Sequence, residues 1–343
     1  MTEHTEAWWI DCDPGVDDAL AIIMACAYGK NVVGLSCTFG NTYLEHATKN
    51  CAKILEVIDR KIPIYKGSSQ PLSEHFTPES DGFFGKDALG DSIEYQHLKG
   101  YTDCIKEENG SLAMIRASKE AKAKNQKFIV IALAPLTTVA IAIALDKTLK
   151  DRVDNLLIMG GTVYGRGFTM MSTEFNFDRD PDAAYRVIRD FDNVTIVPTE
   201  TATTGAHTLE ETIEFRSIPT KVGKFWREIS RVICIDRNDE NSKNINFFFV
   251  EILEYVDAIY DAVTMCVALD ESVIKKMVTV RATVDTRGKY TRGGLVAHWE
   301  DVNKHHDEYL GDDSKSAKKV NIVMELHREK VIALMSASML KFE

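Results

Sequence analysis

Four carboxylates fall within eight residues near the amino terminus: Asp11 and Asp13 before a Pro14-Gly15 turn, Asp17 and Asp18 after it. Upstream, Ala7-Trp8-Trp9-Ile10 is a short apolar run of the kind a buried strand shows. Downstream, residues 16–28 contain no breaker and are rich in Ala, Ile, Leu and Met, which reads as a buried helix. The acids therefore stand where a strand ends and a helix begins, and in an open parallel sheet that crevice is where ligands bind. Two acids in a first helical turn need no further reason, because the positive end of the helix dipole favours each by about 0.3–1 kcal/mol. Asp11 and Asp13 add like charge at the same point. Crowded carboxylates share protons or hold a cation, and hard oxygen ligands suit calcium or magnesium. The pattern points to a metal or acid/base site rather than a solvated acidic turn.

The rest of the chain sets the architecture around that junction. Strand patterns at 32–37, 62–65, 128–133, 156–159 and 194–197 alternate with helical spacing at 44–58, 111–123, 139–145 and 181–188. This alternation predicts a single α/β domain over residues 1–343. Its open, mostly parallel central sheet would carry helices on both faces, in a Rossmann-like arrangement. Residues 67–110 lose periodicity to Ser, Pro, Gly and charge, and a loop that long is usually functional. Its glycine-punctuated middle, 81–90, predicts a site loop. A second site loop is expected over 223–250, with the polar stretch 237–246 as a lid. Beyond 199 the alternation loosens into helices near 207–215 and 220–235, a long apolar helix over 247–269, strands near 278–284, 294–299 and 320–324, and a final helix.

Charge and cysteine usage remove several function classes. A net charge of −11 and a pI near 5.4 disfavour a nucleic-acid partner. The seven cysteines are odd in number and scattered, with no CxxC pair, which suggests free thiols in a reducing compartment. Residues 1–7 show no secretory signal. The apolar run 128–145 approaches the length of a membrane span, yet Pro135, Thr137 and Thr138 interrupt it, so a strand, turn and helix are expected there and no membrane segment. A cytoplasmic protein is expected. His305-His306 lacks partners at ligand spacing and reads as solvated loop.

Asp11-Cys12-Asp13-Pro14-Gly15-Val16-Asp17-Asp18 resembles the DxDPGxDD signature of the nucleoside hydrolases, which cleave ribonucleoside N-glycosidic bonds with calcium and an activated water. Further pieces follow in order. Gly40-Asn41 resembles the family's strand-end asparagine, Ala134-Pro135-Leu136-Thr137-Thr138 its GPLTN turn, and Tyr260-Asp261-Ala262-Val263 its HDPLA. Met159-Gly160-Gly161, Glu174-Phe175-Asn176 and Asp180-Pro181-Asp182-Ala183-Ala184 resemble its MGG…AEFN…DPEAA run, and Thr291-Arg292-Gly293 a TRG near its carboxyl end. The resemblance spans Trp9 to about Leu334. It implies a nucleoside hydrolase fold, a ribonucleoside substrate, Ca2+ as cofactor, a role in nucleoside salvage and purine metabolism, and a homodimer or homotetramer.

By the same resemblance, Asp13, Asp18, Asp261 and the Thr137 carbonyl ligate calcium, and Asp13 is the general base. Asp17, Asn41, Glu174 and Asn176 face the ribose, and Asp11 supports Asp13 from behind. Plainer readings stand beside these: Thr137 as a helix N-cap, and Asp261 as part of an exposed acidic stripe with Glu254 and Asp257. The chain departs from the family pattern at three places. Tyr260 and Phe84 stand where histidines are usual, which suggests stacking on a purine with Tyr260 as proton donor, or else two core aromatics. Phe168 replaces an asparagine near the 5′-hydroxyl, so 5′-modified substrates become conceivable. Two rival readings remain: a nucleoside-binding protein that retains the metal site without turnover, and a DxD-type phosphatase using Asp11 as nucleophile.

Overall fold

The computed structural model describes residues 5–73, 80, 82–167, 171–233, 259–299 and 317–342. Glu6–Cys12 forms β1, buried in every residue after Glu6. It pairs in parallel with β2 (Val32–Cys37) on one side and β5 (Lys127–Ala132) on the other. Successive side chains of a strand point to opposite faces, and β1 fills both: Trp8, Ile10 and Cys12 enter one apolar core, Ala7 and Trp9 the other. That explains why its sequence is a continuous apolar run instead of an alternating one.

The sheet runs β4–β3–β2–β1–β5–β6–β7–β10–β8–β9 among the described residues. Its further strands are β3 (Ile64–Lys66), β4 (Ile105–Asn109), β6 (Val153–Met159), β7 (Val194–Val197), β8 (Ile274–Val284), β9 (Leu295–Ala297) and β10 (Lys318–Leu326). Pairing is parallel from β4 through β10 and antiparallel for β10–β8 and β8–β9. The chain winds outward from β1 to β4, then returns to place β5 on the other side of β1. The carboxyl end of β1 is thus the point where strand order reverses, the crevice open α/β sheets use for ligands.

Helices cover both faces, as the sequence predicts. The core on one face takes side chains from α1 (Val16–Ala27), α2 (Leu44–Val57), α9 (Lys221–Ile229), α10 (Tyr260–Leu269) and α11 (Arg328–Met339). The other takes them from α3 (Gly110–Ala123), α4 (Thr137–Leu145) and α6 (Pro181–Asp190). Shorter helices α5 (Phe175–Arg179), α7 (Thr199–Gly205) and α8 (Leu209–Arg216) complete the described α-helices around the sheet. The run 128–145 is β5, a turn and α4. Among the described residues no helix is long and apolar enough to cross a membrane.

Two expectations change. The long loop 67–110 contains an edge strand, β4, whose Ile-Lys-Glu-Glu-Asn sequence shows no apolar alternation because an edge strand is blunted by charge. The predicted site loop over 223–250 is helical through Ile229, followed by a single 3-10 turn at Ser230–Val232. Its remainder, with the proposed lid at 237–246, lies outside the described residues, as do the first part of the 247–269 helix and His305-His306. Near 81–90 a compact turn forms: Gly90 N–H donates to the Phe84 carbonyl at 2.8 Å, and Asn50 of α2 ties it down through the Asp87 carbonyl, also at 2.8 Å.

Candidate active site

Two helix starts deliver the acids. Asp17 and Asp18 lie in the first turn of α1, and Asp261 in the first turn of α10. The two helices pack against each other, so residues more than 240 positions apart in the sequence share one pocket. Asp17, Asp18 and Asp261 are buried, and each offers a carboxylate oxygen within 4.8 Å of the others. Two unit charges at that separation repel by roughly 3–4 kcal/mol at an effective dielectric of about 20. Asp261 is 3% exposed, so the exposed-stripe reading does not describe it.

Asp13 closes the pocket from the turn before α1. Its carboxylate accepts the Asn41 backbone N–H at 2.6 Å, and the Asn41 amide donates to the Asp13 carbonyl and to Asp18, both at 3.3 Å. Asp18 in turn accepts the backbone N–H groups of Asp13 at 3.2 Å and Gly15 at 3.0 Å. This is why Asp18 stands at the third position of the helix: its side chain reaches back to the N-cap. Asn41 therefore serves as the clamp that orients Asp13 and Asp18. Asp11 lies behind, fully buried; Ser36 Oγ donates to it, and Ser36 accepts from Trp9 Nε1 at 2.9 Å.

Burial dominates the electrostatics. It pushes Asp13, Asp17 and Asp261 well above the carboxylate range, with mutual repulsion adding to it. Asp18 is raised to about 7 and Asp11 to about 8, again chiefly by burial. One oxygen of Asp17 and one of Asp11 have no hydrogen-bond partner. Buried acids that crowd one another, with an acceptor left over, are arranged to take up positive charge.

The opposite wall comes from β5, β6 and α5. Glu174 caps α5: its carboxylate accepts the N–H groups of Asn176 at 2.7 Å, Gly161 at 3.0 Å and Phe177 at 3.1 Å, yet burial still raises it to about 7. Gly161 holds a φ of +74° at the strand-end turn, where glycine is free of Cβ strain. The Asn176 amide donates to the Leu133 carbonyl at 2.9 Å and to the Met159 carbonyl at 3.3 Å. Tyr260 is half-buried, and burial raises its pKa above the usual value, with the charges of Asp17 and Glu174 adding to it.

Phe84 lies 5% exposed with its ring against the Pro14-Gly15 turn; a Cβ on Gly15 would meet it at 2.7 Å. Phe83, 41% exposed, stands edge-on to it with centroids 4.9 Å apart. Thr137 is the first residue of α4, not its cap; its hydroxyl donates to Asp180 at 2.6 Å. Asp180 carries the cap of α6 and also accepts the Leu72 N–H, joining the two turns. Arg292 of the TRG turn reaches Asp182 at 2.7 Å. Phe168 lies outside the described residues. Asp180, named in the sequence only within its motif run, acts as a site support, and so does Ser36, which the sequence reading missed although it stands out as a polar residue inside an apolar strand.

Gly40 offers a direct test of how tightly Asp13 is held. A Cβ there would overlap the buried Asp13 carboxylate and crowd the Pro135 ring. Gly40→Ala is therefore expected to force Asp13 off its Asn41 clamp, to lower the melting temperature, and to reduce activity about 10²-fold by misplacing a reacting group. Turnover and thermal denaturation measured together check it. Unchanged turnover would mean that the position of Asp13 does not matter.

Comparison with known proteins agrees with this geometry. The sequence model described as "Inosine-uridine preferring nucleoside hydrolase" matches residues 8–333. Among curated relatives, probable uridine nucleosidase 2 of Oryza sativa subsp. japonica is 29% identical over 234 residues, covering 65% of each chain. The uridine nucleosidase of Saccharomyces cerevisiae is 33% identical over 203 residues, covering 56% of each. The matched part is thus under two thirds of the length of either relative. Among solved structures, one named Inosine-Guanosine Nucleoside Hydrolase superposes with a TM-score of 0.83 at 22% identity, over 98% of this chain and 99% of that one.

Proposed function

The chain belongs to the inosine-uridine preferring nucleoside hydrolase family, and from that premise we propose that it hydrolyses the N-glycosidic bond of ribonucleosides to ribose and free base with calcium. The observation that carries the reading is the buried meeting of Asp17, Asp18 and Asp261, with Asp13 clamped beside them. The donor set fits calcium: every donor is a hard oxygen and the group is crowded enough to need a cation, although the acid grouped within 4.8 Å of Asp18 and Asp261 is Asp17, with Asp13 beside them. Asp13, Asp18, Asp261 and the Thr137 carbonyl would hold the ion. When bound, calcium supplies a Lewis acid that acidifies water and orients a ribose diol.

The chain's own groups carry the remaining steps. Asp13 takes the proton of the attacking water; its second oxygen is fixed by Asn41, so the free one is aimed. Asp17 accepts a ribose hydroxyl, and Glu174 and Asn176 line the far side of the sugar. Burial of these carboxylates keeps water from screening the positive charge that develops on the ribose as the base departs. The phosphatase alternative fails on burial, because Asp11 is sealed beneath the pocket with Ser36 on its carboxylate and cannot meet a phosphate.

Tyr260, at the start of α10 beside Asp261, is the group to protonate the leaving base. Tyr260→Phe is expected to lower kcat about 10²-fold with KM unchanged, and to remove the alkaline limb of the pH–rate profile. An unaltered kcat would assign leaving-group activation elsewhere. Aromatic rings in place of imidazoles favour the larger base, hence a purine preference. Phe83 rather than Phe84 is the exposed ring on offer. The deciding measurement is base release from inosine, guanosine, uridine and cytidine. Release with purines ahead supports the reading, release with uridine ahead reverses the preference, and binding of all four without release removes the hydrolase reading.

A further inference from the structure

Directly behind the acid pocket, three cysteines that are far apart in the sequence meet. Cys12 ends β1, Cys37 ends β2 in register with it, and Cys51 lies in α2. All three are 0% exposed, and their sulfur atoms lie within 4.8 Å of one another. Cys12 Sγ also donates to the Ser36 carbonyl at 3.5 Å. A single buried cysteine behaves as a small hydrophobe. Three that converge from three separate elements form a donor set.

The geometry and softness of that set choose its ligand. With metal–sulfur bonds of about 2.3 Å, a trigonal ring of three sulfurs has edges of roughly 4 Å, within the spacing found here. Among the described residues no histidine, carboxylate or further cysteine joins the group. Tetrahedral zinc would be one ligand short, since structural zinc sites are almost always four-coordinate. Soft thiolates without hard donors select monovalent copper. We propose that Cys12, Cys37 and Cys51 bind one monovalent copper ion in a three-sulfur site, separate from the oxygen site in front of it. The ion displaces thiol protons to solvent as the copper–sulfur bonds form, and no change of oxidation state is involved. The two neighbouring sites do not compete, because one presents hard oxygen and the other soft sulfur.

The test uses the full chain, reduced and oxygen-free, titrated with the acetonitrile complex of monovalent copper against a chromogenic copper chelator. The expected result is one copper retained per chain after desalting, a thiolate-to-copper charge-transfer band in the near ultraviolet, and about three sulfurs around the ion by X-ray absorption. Cys37→Ser and Cys51→Ser are each expected to weaken binding at least 100-fold, while Cys26→Ser, in α1 and apart from the cluster, retains it. Cys51→Ala replaces Cys51→Ser if circular dichroism shows that the buried hydroxyl disturbs the fold. Copper that is not retained by the native chain, or is retained equally by all the variants, overturns the site.

Discussion

Replacing Asp13 by asparagine is expected to abolish hydrolysis, lowering kcat by about 10²–10⁴-fold, the range a positioned general base contributes. The substitution is close to isosteric, and its amide oxygen still accepts the Asn41 N–H that now binds Asp13. What disappears is the capacity to take a proton and one of several crowded negative charges. Burial and the charges of Asp18, Asp17 and Asp11 all penalise an ionised Asp13. The variant's melting temperature should therefore hold or rise while its activity vanishes. A fold that is no less stable, joined to a dead enzyme, is the signature of a residue kept for chemistry at a cost in stability. Base release by the variant at the native rate would refute the assignment of Asp13 as the base.

Removing the metal has the second large effect. Chelation is expected to cut activity at least about a thousandfold, because a Lewis acid at the reacting centre contributes several kcal/mol and each 1.4 kcal/mol is tenfold. Added calcium should restore it. The same treatment leaves a mark on stability. In the metal-free protein Asp18 and Glu174 are raised to about 7 and Asp11 to about 8, and Asp13, Asp17 and Asp261 are raised too, in every case first by burial. The folded state then holds protons that the unfolded chain has released above its ordinary carboxylate range near 4. That contribution is complete below about pH 4 and is lost as pH climbs through about 7 to 8. The chelated protein should accordingly melt at lower temperature at pH 8 than at pH 5.5. Calcium at about a hundred times its Kd should return roughly 2.7 kcal/mol. A chelated protein whose melting temperature stays level between those pH values and ignores added calcium would sink the site.

The sequence made the parallel sheet legible because β1, β5, β6 and β7 are apolar runs between helices of clear period. The junction at Asp11–Asp18 was legible for the same reason, since a strand end and a helix start can be recognised from local pattern alone. What stayed hidden depends on partners distant in the chain. Thr137 looked like a cap because hydroxyls at helix starts usually are; its hydroxyl instead bonds Asp180, which carries the cap of the next long helix. Phe84 reads in the sequence equally as a ring over the base or a core aromatic, and it is packed beneath the turn that carries Asp13. β4 was missed because charge protects an edge strand by erasing its alternation. The three thiols looked scattered because β1, β2 and α2 meet only in the folded sheet. Spacing alone makes Asp261 part of an acidic stripe with Glu254 and Asp257; only its Tyr-Asp-Ala-Val context singles it out, and the start of α10 against α1 buries it.

β1 is held by a ladder along each edge and by apolar packing on each face. A strand enclosed on four sides cannot fray; its amides exchange with solvent only when the whole domain opens. The acids at its tip inherit that protection. Heat should leave no window in which the chain is folded but its chemistry is lost, and durability in use should be governed by global unfolding rather than by local wear at the catalytic end.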